Sequence, residues 1–195
     1  ASGTREHSEY PVQVVCESSS LSGSSRIILG DVVQIASVGY HTLALKKDGT
    51  VWAWGPNHFY QLGHSDNHAN QKFQVYAKQV PNLPKIKQVA TGWHHSIALD
   101  ESGTIWAWGS DPAFQFQEST LKVIPKPTPF HNLPEITKIA CGSWHSLAID
   151  KNGNVWGWGK NHFGMLGTGD TLSVSSPTKI KNLVNIVDVG GGCFQ

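Results

Sequence analysis

Only three cysteines, Cys16, Cys141 and Cys193, occur in 195 residues, an odd number with no C-x-x-C spacing. That excludes a disulfide framework and a cysteine zinc site, and leaves the three as small buried apolar residues. Net charge is equally sparse, with 15 Lys and Arg against 14 Asp and Glu giving +1. No general field draws such a chain onto nucleic acid or an anionic surface, so nucleic acid is not an expected partner. No apolar run approaches the roughly 20 residues of a spanning helix, and no membrane span is expected. The opening "ASGTREHSEY" lacks a Met and the apolar core of a signal peptide; residues 1–10 read as a flexible N-terminal segment. Catalytic motifs are missing too: there is no G-x-S-x-G elbow, P-loop or H-E-x-x-H, and the acidic residues are scattered or in turns. The chain is expected to be non-enzymatic, with no cofactor and no metal.

What the sequence has is repetition. "VWAWG" at 51–55 returns as "IWAWG" at 105–109 and "VWGWG" at 155–159. His41, His95 and His145 lie 54 and then 50 residues apart, and Leu83, Leu133 and Leu183 keep a step of 50. Within "QVATGWHHSIALDESGTIWAWG", residues 89–92, 96–99 and 104–108 read as strands, with Asp48-Gly49, Ser102-Gly103 and Asn152-Gly153 as hairpin turns. A further strand is expected through "KQVPNL", "TPFHNL" and "PTKIKNL", with Asn82-Leu83, Asn132-Leu133 and Asn182-Leu183 leading into the next unit. In each Trp-x-Trp strand the two indoles face one way, and Ala53, Ala107 and Gly157 face the other. Large and small faces of that kind suit sheets stacked around an axis, and all-β units of this length are the signature of propeller blades. The expected fold is therefore all-β, a partial β-propeller of three to four blades spanning 11–195. Its units lie near 35–83, 89–133 and 139–183, and a further one starts at 186–195.

At "IASVGYHTLALKKDGTVWAWGPNHFYQLG", and again at "IACGSWHSLAIDKNGNVWGWGKNHFGMLG", the chain resembles the regulator of chromosome condensation repeat family. The family pattern is A-x-G-x-x-H-S-L-A-L, a DG turn, V-W-x-W-G and N-x-x-G-Q-L-G. The resemblance implies a seven-bladed propeller, so the three complete units here would be completed by further blades or by self-association, which would cover open sheet edges. Cys193 is read as standing where a fourth histidine would fall, and "ESSSLSGSSR" at 17–26 and a four-residue excess between Gly63 and Leu83 read as surface loops. "LKKDGTVWAWG" is similar to bacterial members, many of them secreted or surface-attached, which gives a lean toward a secreted or cell-surface location.

Because His41, His95 and His145 share one slot, they read as structural, with ring nitrogens bonded to backbone of a neighbouring turn. His64, Asp66 and His68 have a spacing that ligates metal on a helix, but their segment is polar and shows no helical pattern, so it reads as a solvated loop. Positions that vary between units are the candidates for contact. Before the histidine slot stand Tyr40, His94 and Trp144, with Trp93 beside the second; after Trp-x-Trp-Gly come His58, Phe59 and Tyr60, then Phe114, then His162 and Phe163. Leu62, Phe116 and Leu166 read as packing between blades. By resemblance, the β-lactamase-inhibitor propellers of the family use the same slot and the same loops to grip an enzyme. The expected function is a protein-interaction module that presents these aromatics to a protein partner of unknown identity. One alternative is an inhibitor or regulator of a specific enzyme, β-lactamase-inhibitor-like or GTPase-regulator-like; another is a carbohydrate- or metal-binding propeller.

Overall fold

A computed structural model describes residues 12–17, 26–65, 72–110 and 123–192. Among these residues the secondary structure is strands and turns, with no helix long and apolar enough to cross a membrane. Three antiparallel meanders follow one another. The first runs through β3 (Val32–Ala36), β4 (Thr42–Lys46), β5 (Val51–Pro56) and β6 (Phe73–Gln79); the second through β7 (Ile86–Thr91), β8 (His95–Asp100), β9 (Ile105–Ser110) and β10 (Val123–Pro129). The third is β11 (Ile136–Cys141), β12 (His145–Asp150), β13 (Val155–Gly159) and β14 (Val174–Lys179). A short hairpin, β1 (Val15–Glu17) and β2 (Arg26–Ile28), adds to the outer edge of the first sheet through one parallel bridge, Cys16 to Ala77. This is the all-β, partial-propeller arrangement expected from the repeat.

The hairpin turns form where the dipeptides place them, since Gly49, Gly103 and Gly153 hold φ of +84°, +86° and +72°. In the second and third units the strand before the turn ends in aspartate. Asp100 and Asp150 accept bonds from the Trp106 and Trp156 indole N–H groups at 2.9 and 3.1 Å, so the first tryptophan of each motif is pinned to its own turn. The outer strands differ from expectation. They end at Gln79, Pro129 and Lys179, before most of the segments assigned to them. Asn82, Asn132 and Asn182 carry φ of 60°, 68° and 63°, a left-handed conformation that asparagine tolerates and that breaks a strand.

The blades stack large face on small face. Ala53 shares a buried core with Trp108 and Trp106 of the following blade, and Ala107 shares one with Trp158 and Trp156 of the blade after that. The first blade has no blade before it among the described residues; its Trp52 and Trp54 pack instead with Val14, Cys16 and Leu29 around the added hairpin. Cys16 and Cys141 are free and buried, as expected, while Cys193, residues 18–25 of the serine-rich segment and residues 66–71 of the stretch between Gly63 and Leu83 lie outside the described residues.

Two kinds of side-chain contact recur across the described seams. The Gln34 side-chain amide donates to the Val89 carbonyl at 2.9 Å and its oxygen accepts from the Val89 N–H at 3.0 Å; Gln88 repeats both bonds on Ile139 at the same distances. At the next step Lys138 takes the glutamine position and pairs with Asp188 at 2.8 Å. Burial follows this pairing: Val89 and Ile139 are 1% and 3% exposed, whereas Ile35, their equivalent on the leading strand, is 61% exposed. The second contact corrects the expected role of the repeated histidine. His41 Nε2 meets the Ser96 hydroxyl at 2.7 Å and His95 Nε2 meets Ser146 at 3.1 Å, so the partner is a side chain one blade on, not backbone of a turn. Ile86, Ile136 and Ile186 donate N–H bonds to the Gly49, Gly103 and Gly153 carbonyls, one such bond at each step between units, and the expected fourth histidine slot lies outside the described residues.

Replacing Gln88 by Leu strands the buried Ile139 N–H and carbonyl, and a loss of about 1–3 kcal/mol is expected in urea unfolding. Lys87→Leu, an exposed neighbour, leaves the midpoint in place; equal effects of the two would contradict the clamp.

Candidate protein-binding site on the loop end

The first-to-second strand connections of each blade and the third-to-fourth connections open at the same end, as the contact of Phe59 with His94 shows (ring centroids 4.6 Å apart). At this end the variable slot becomes a continuous row. Tyr40 stacks on His94 at 5.7 Å and 18°, and His94 meets Trp144 at 5.8 Å and 64°. Trp93 bridges the row, 6.3 Å from Tyr40 and edge-on to Trp144 at 4.6 Å, and the Lys160 ammonium lies 5.6 Å from the Trp144 ring centre. Five predicted residues, Tyr40, Phe59, Trp93, His94 and Trp144, thus form one ring cluster that crosses three blades. Residues 54 and 50 positions apart in sequence become neighbours because the seams set successive blades side by side.

The members are not equivalent. Tyr40 is 65% exposed, Trp93 and His94 are half-buried, and Trp144 is 8% exposed, so Trp144 backs the cluster while Tyr40 offers it to solvent. Burial holds the His94 imidazole below its usual pKa, with the nearby His58 adding in the same direction, and the row is uncharged at His94 near neutral pH.

In the loop after the first Trp-x-Trp-Gly, Asn57 Oδ1 accepts the Leu62 N–H at 3.0 Å and Gln61 Oε1 accepts the Phe59 N–H at 2.9 Å. Asn161 Oδ1 repeats the first of these bonds on Leu166 at 2.9 Å. The frame so built demands a left-handed residue at its tip. Gly164 supplies it with φ of +73°, and Tyr60 adopts the same conformation at +61° in the first unit. A bulky residue in that region costs about 1–2 kcal/mol, so the frame holds Tyr60 against its own backbone preference. His58 is exposed and packs edge-on against Phe73 at 5.1 Å; His162 is exposed and Phe163 is 71% exposed. Phe73, on the first position of β6, was missed because that strand was placed too late in the chain. Phe114 and Phe116 lie outside the described residues, whereas Leu62 and Leu166 are buried as expected.

His64 is buried and bonds the Gln79 carbonyl at 3.0 Å, while Asp66 and His68 lie outside the described residues. No cluster of three metal-ligating side chains occurs among the described residues. A cavity of about 200 Å³ lies between the second and third blades, walled by His95, Trp108, Ser110 and Trp158.

Blade order, stacked indole faces and loop-end aromatics together define a β-propeller arc built from repeats. The chain belongs to the regulator of chromosome condensation (RCC1) repeat family: models of that repeat match 32–61, 86–115 and 136–164, and 48–99 and 152–195. It is 39% identical over 101 residues to the mitochondrial RCC1 domain-containing protein RUG3 of Arabidopsis thaliana, covering 49% of this chain and 22% of that protein. Among solved structures it is similar to Prp20p of Saccharomyces cerevisiae, described with its binding to Gsp1p and histones. There the TM-score is 0.76 and the identity 29%, over 89% of this chain and 45% of that one. It is also similar to the structure of Kap60 bound to yeast RCC1 (Prp20), with a TM-score of 0.70 and 30% identity, over 82% of this chain and 39% of that one. The chain spans less than half the length of each of these proteins.

Since the Tyr60 position asks for glycine geometry, Tyr60→Gly is expected to keep stability within about 1 kcal/mol of the parent in urea unfolding. A loss of several kcal/mol would show Tyr60 to be a packing residue, not a loop tip held for contact.

Proposed function

We propose that this chain is a protein-interaction module whose loop end binds a protein partner through the aromatic cluster centred on His94. The observation that carries the reading is the cluster itself: positions that differ in every unit, and so are not demanded by the repeat, meet in one row with Tyr40 at its open edge. Tyr and Trp supply large contact area at low entropic cost, which is why they anchor protein interfaces. His58, Tyr60, His162 and Phe163 stand at the tips of the flanking loops and form the rim of the same surface in this reading.

A propeller that regulates an enzyme is the second reading. It draws on Prp20p, described with its binding to Gsp1p and histones. Both readings use the same end of the molecule and differ in the identity of the partner. Chemistry by the chain itself forms no part of either.

The test is a quantitative pull-down from an extract of the source cells, with parent and variant proteins matched for thermal unfolding. Tyr40→Ala is expected to lower capture of the specific partner at least tenfold, as an interface anchor does. Undiminished capture by both Tyr40→Ala and Trp144→Ala would remove this surface from consideration.

A further inference from the structure

The His41–Ser96 contact that crosses the first seam has a defined proton arrangement. The Ser96 hydroxyl donates its hydrogen to the Gln61 carbonyl at 2.8 Å, so at its 2.7 Å contact with His41 it must accept from Nε2–H. His41 is therefore the neutral Nε2–H tautomer, and its Nδ1 carries only a lone pair. That Nδ1 is buried without a hydrogen-bond partner, as are Nδ1 of His95 and of His145. Backbone closes over these edges: a Cβ on Gly92 would lie 2.4 Å from His95 Nδ1, and one on Gly142 would lie 2.7 Å from His145 Nδ1.

A proton arriving at Nδ1 thus creates a charged N–H with nothing to donate to. The groups facing these rings give no relief. His94 faces His41, while His41, His145 and His94 face His95, so the electrostatic neighbours are other imidazoles. Cys141 lies beside Ser146, and burial pushes its thiol up to about 12, which keeps it neutral. Asp100 and Asp150 stand at the far ends of β8 and β12 from His95 and His145. Burial first, and then the neighbouring imidazoles, push His41 and His95 down to about 3, and burial lowers His145 as well.

We infer that the histidine–serine seams are proton-operated latches, in which protonation of the buried imidazoles releases one blade from the next while each four-stranded sheet stays paired. The strand ladders within a blade are made of backbone bonds in which no imidazole nitrogen takes part, whereas each described seam has one histidine–serine contact. The sign follows from the lowered values. Opening hydrates the rings and returns them toward the ordinary value near 6.5, so the closed form is fully favoured above about pH 6.5. Its advantage then falls as pH drops toward about 3, by roughly tenfold per pH unit for each histidine that gains a proton on opening.

Tryptophan fluorescence reports the seams through the buried Trp108 and Trp158, and far-ultraviolet circular dichroism reports the strands. On titrating the whole chain from pH 7.5 to 3.5, fluorescence is expected to change first, with circular dichroism following at lower pH. His95→Gln keeps a side-chain amide that can bond the Ser146 hydroxyl and cannot titrate, and is expected to make the fluorescence transition shallower by close to tenfold per pH unit. His41→Gln does the same at the other seam and serves alone if the first variant does not fold. His162→Gln, an exposed control, leaves the profile unchanged. Simultaneous loss of both signals in the parent, or a transition equally steep in the folded glutamine variants, would overturn the proposal.

Discussion

Successive blades are held in register by side chains that reach across a seam and bond the backbone and hydroxyls of the next sheet. Gln34 and Gln88 each satisfy an inner-strand N–H and carbonyl that the blade's own ladder leaves facing outward, and His41 and His95 each reach a serine beyond. Indole-on-alanine packing supplies the apolar area, but area alone does not fix how far one blade is rotated against the next. The amide bonds do, because an unpaired buried backbone group costs more than a sliding apolar contact. Everything at the loop end depends on that fixed offset, since Tyr40, His94 and Trp144 make a row only if three sheets keep it.

The same dependence explains what was legible in the sequence. Trp-x-Trp, the turn dipeptides and the histidine step are local or periodic signals, and they led to the strands, the blade order and the family. The segments through Asn82, Asn132 and Asn182 read as strand because asparagine's tolerance of positive φ leaves no mark on hydrophobic alternation. The partner of the repeated histidine is written beside it: the later copies are His95-Ser96 and His145-Ser146, and each serine is the group that the preceding unit's histidine contacts. Gln34 and Gln88 keep the histidine's step of 54 as well, with Lys138 next in the series.

The site was legible as a set of positions and not as a surface. Sequence comparison between units isolates the slot before the histidine, but nothing in it separates Tyr40, which faces solvent, from Trp144, which is covered. That difference comes from the stacking direction, because each later blade has a neighbour before it and the first described blade has only the β1–β2 hairpin. Tyr60 is the reverse case, where sequence flagged the residue through its glycine counterpart Gly164 and the backbone angle supplied the physical reason. The proposed function rests on two layers: a repeated scaffold whose blades are bonded across their seams, and a set of unrepeated aromatics that the scaffold brings together.

Native-state hydrogen exchange of three equivalent amides tests the scaffold most directly. Val89 and Ile139 donate to a glutamine of the preceding blade, and Ile35 has no such blade among the described residues. The account predicts that the Val89 and Ile139 amides exchange only with large-scale opening, and that the Ile35 amide exchanges faster by orders of magnitude. Equal protection of all three would contradict the claim that the glutamine clamps hold the blades together.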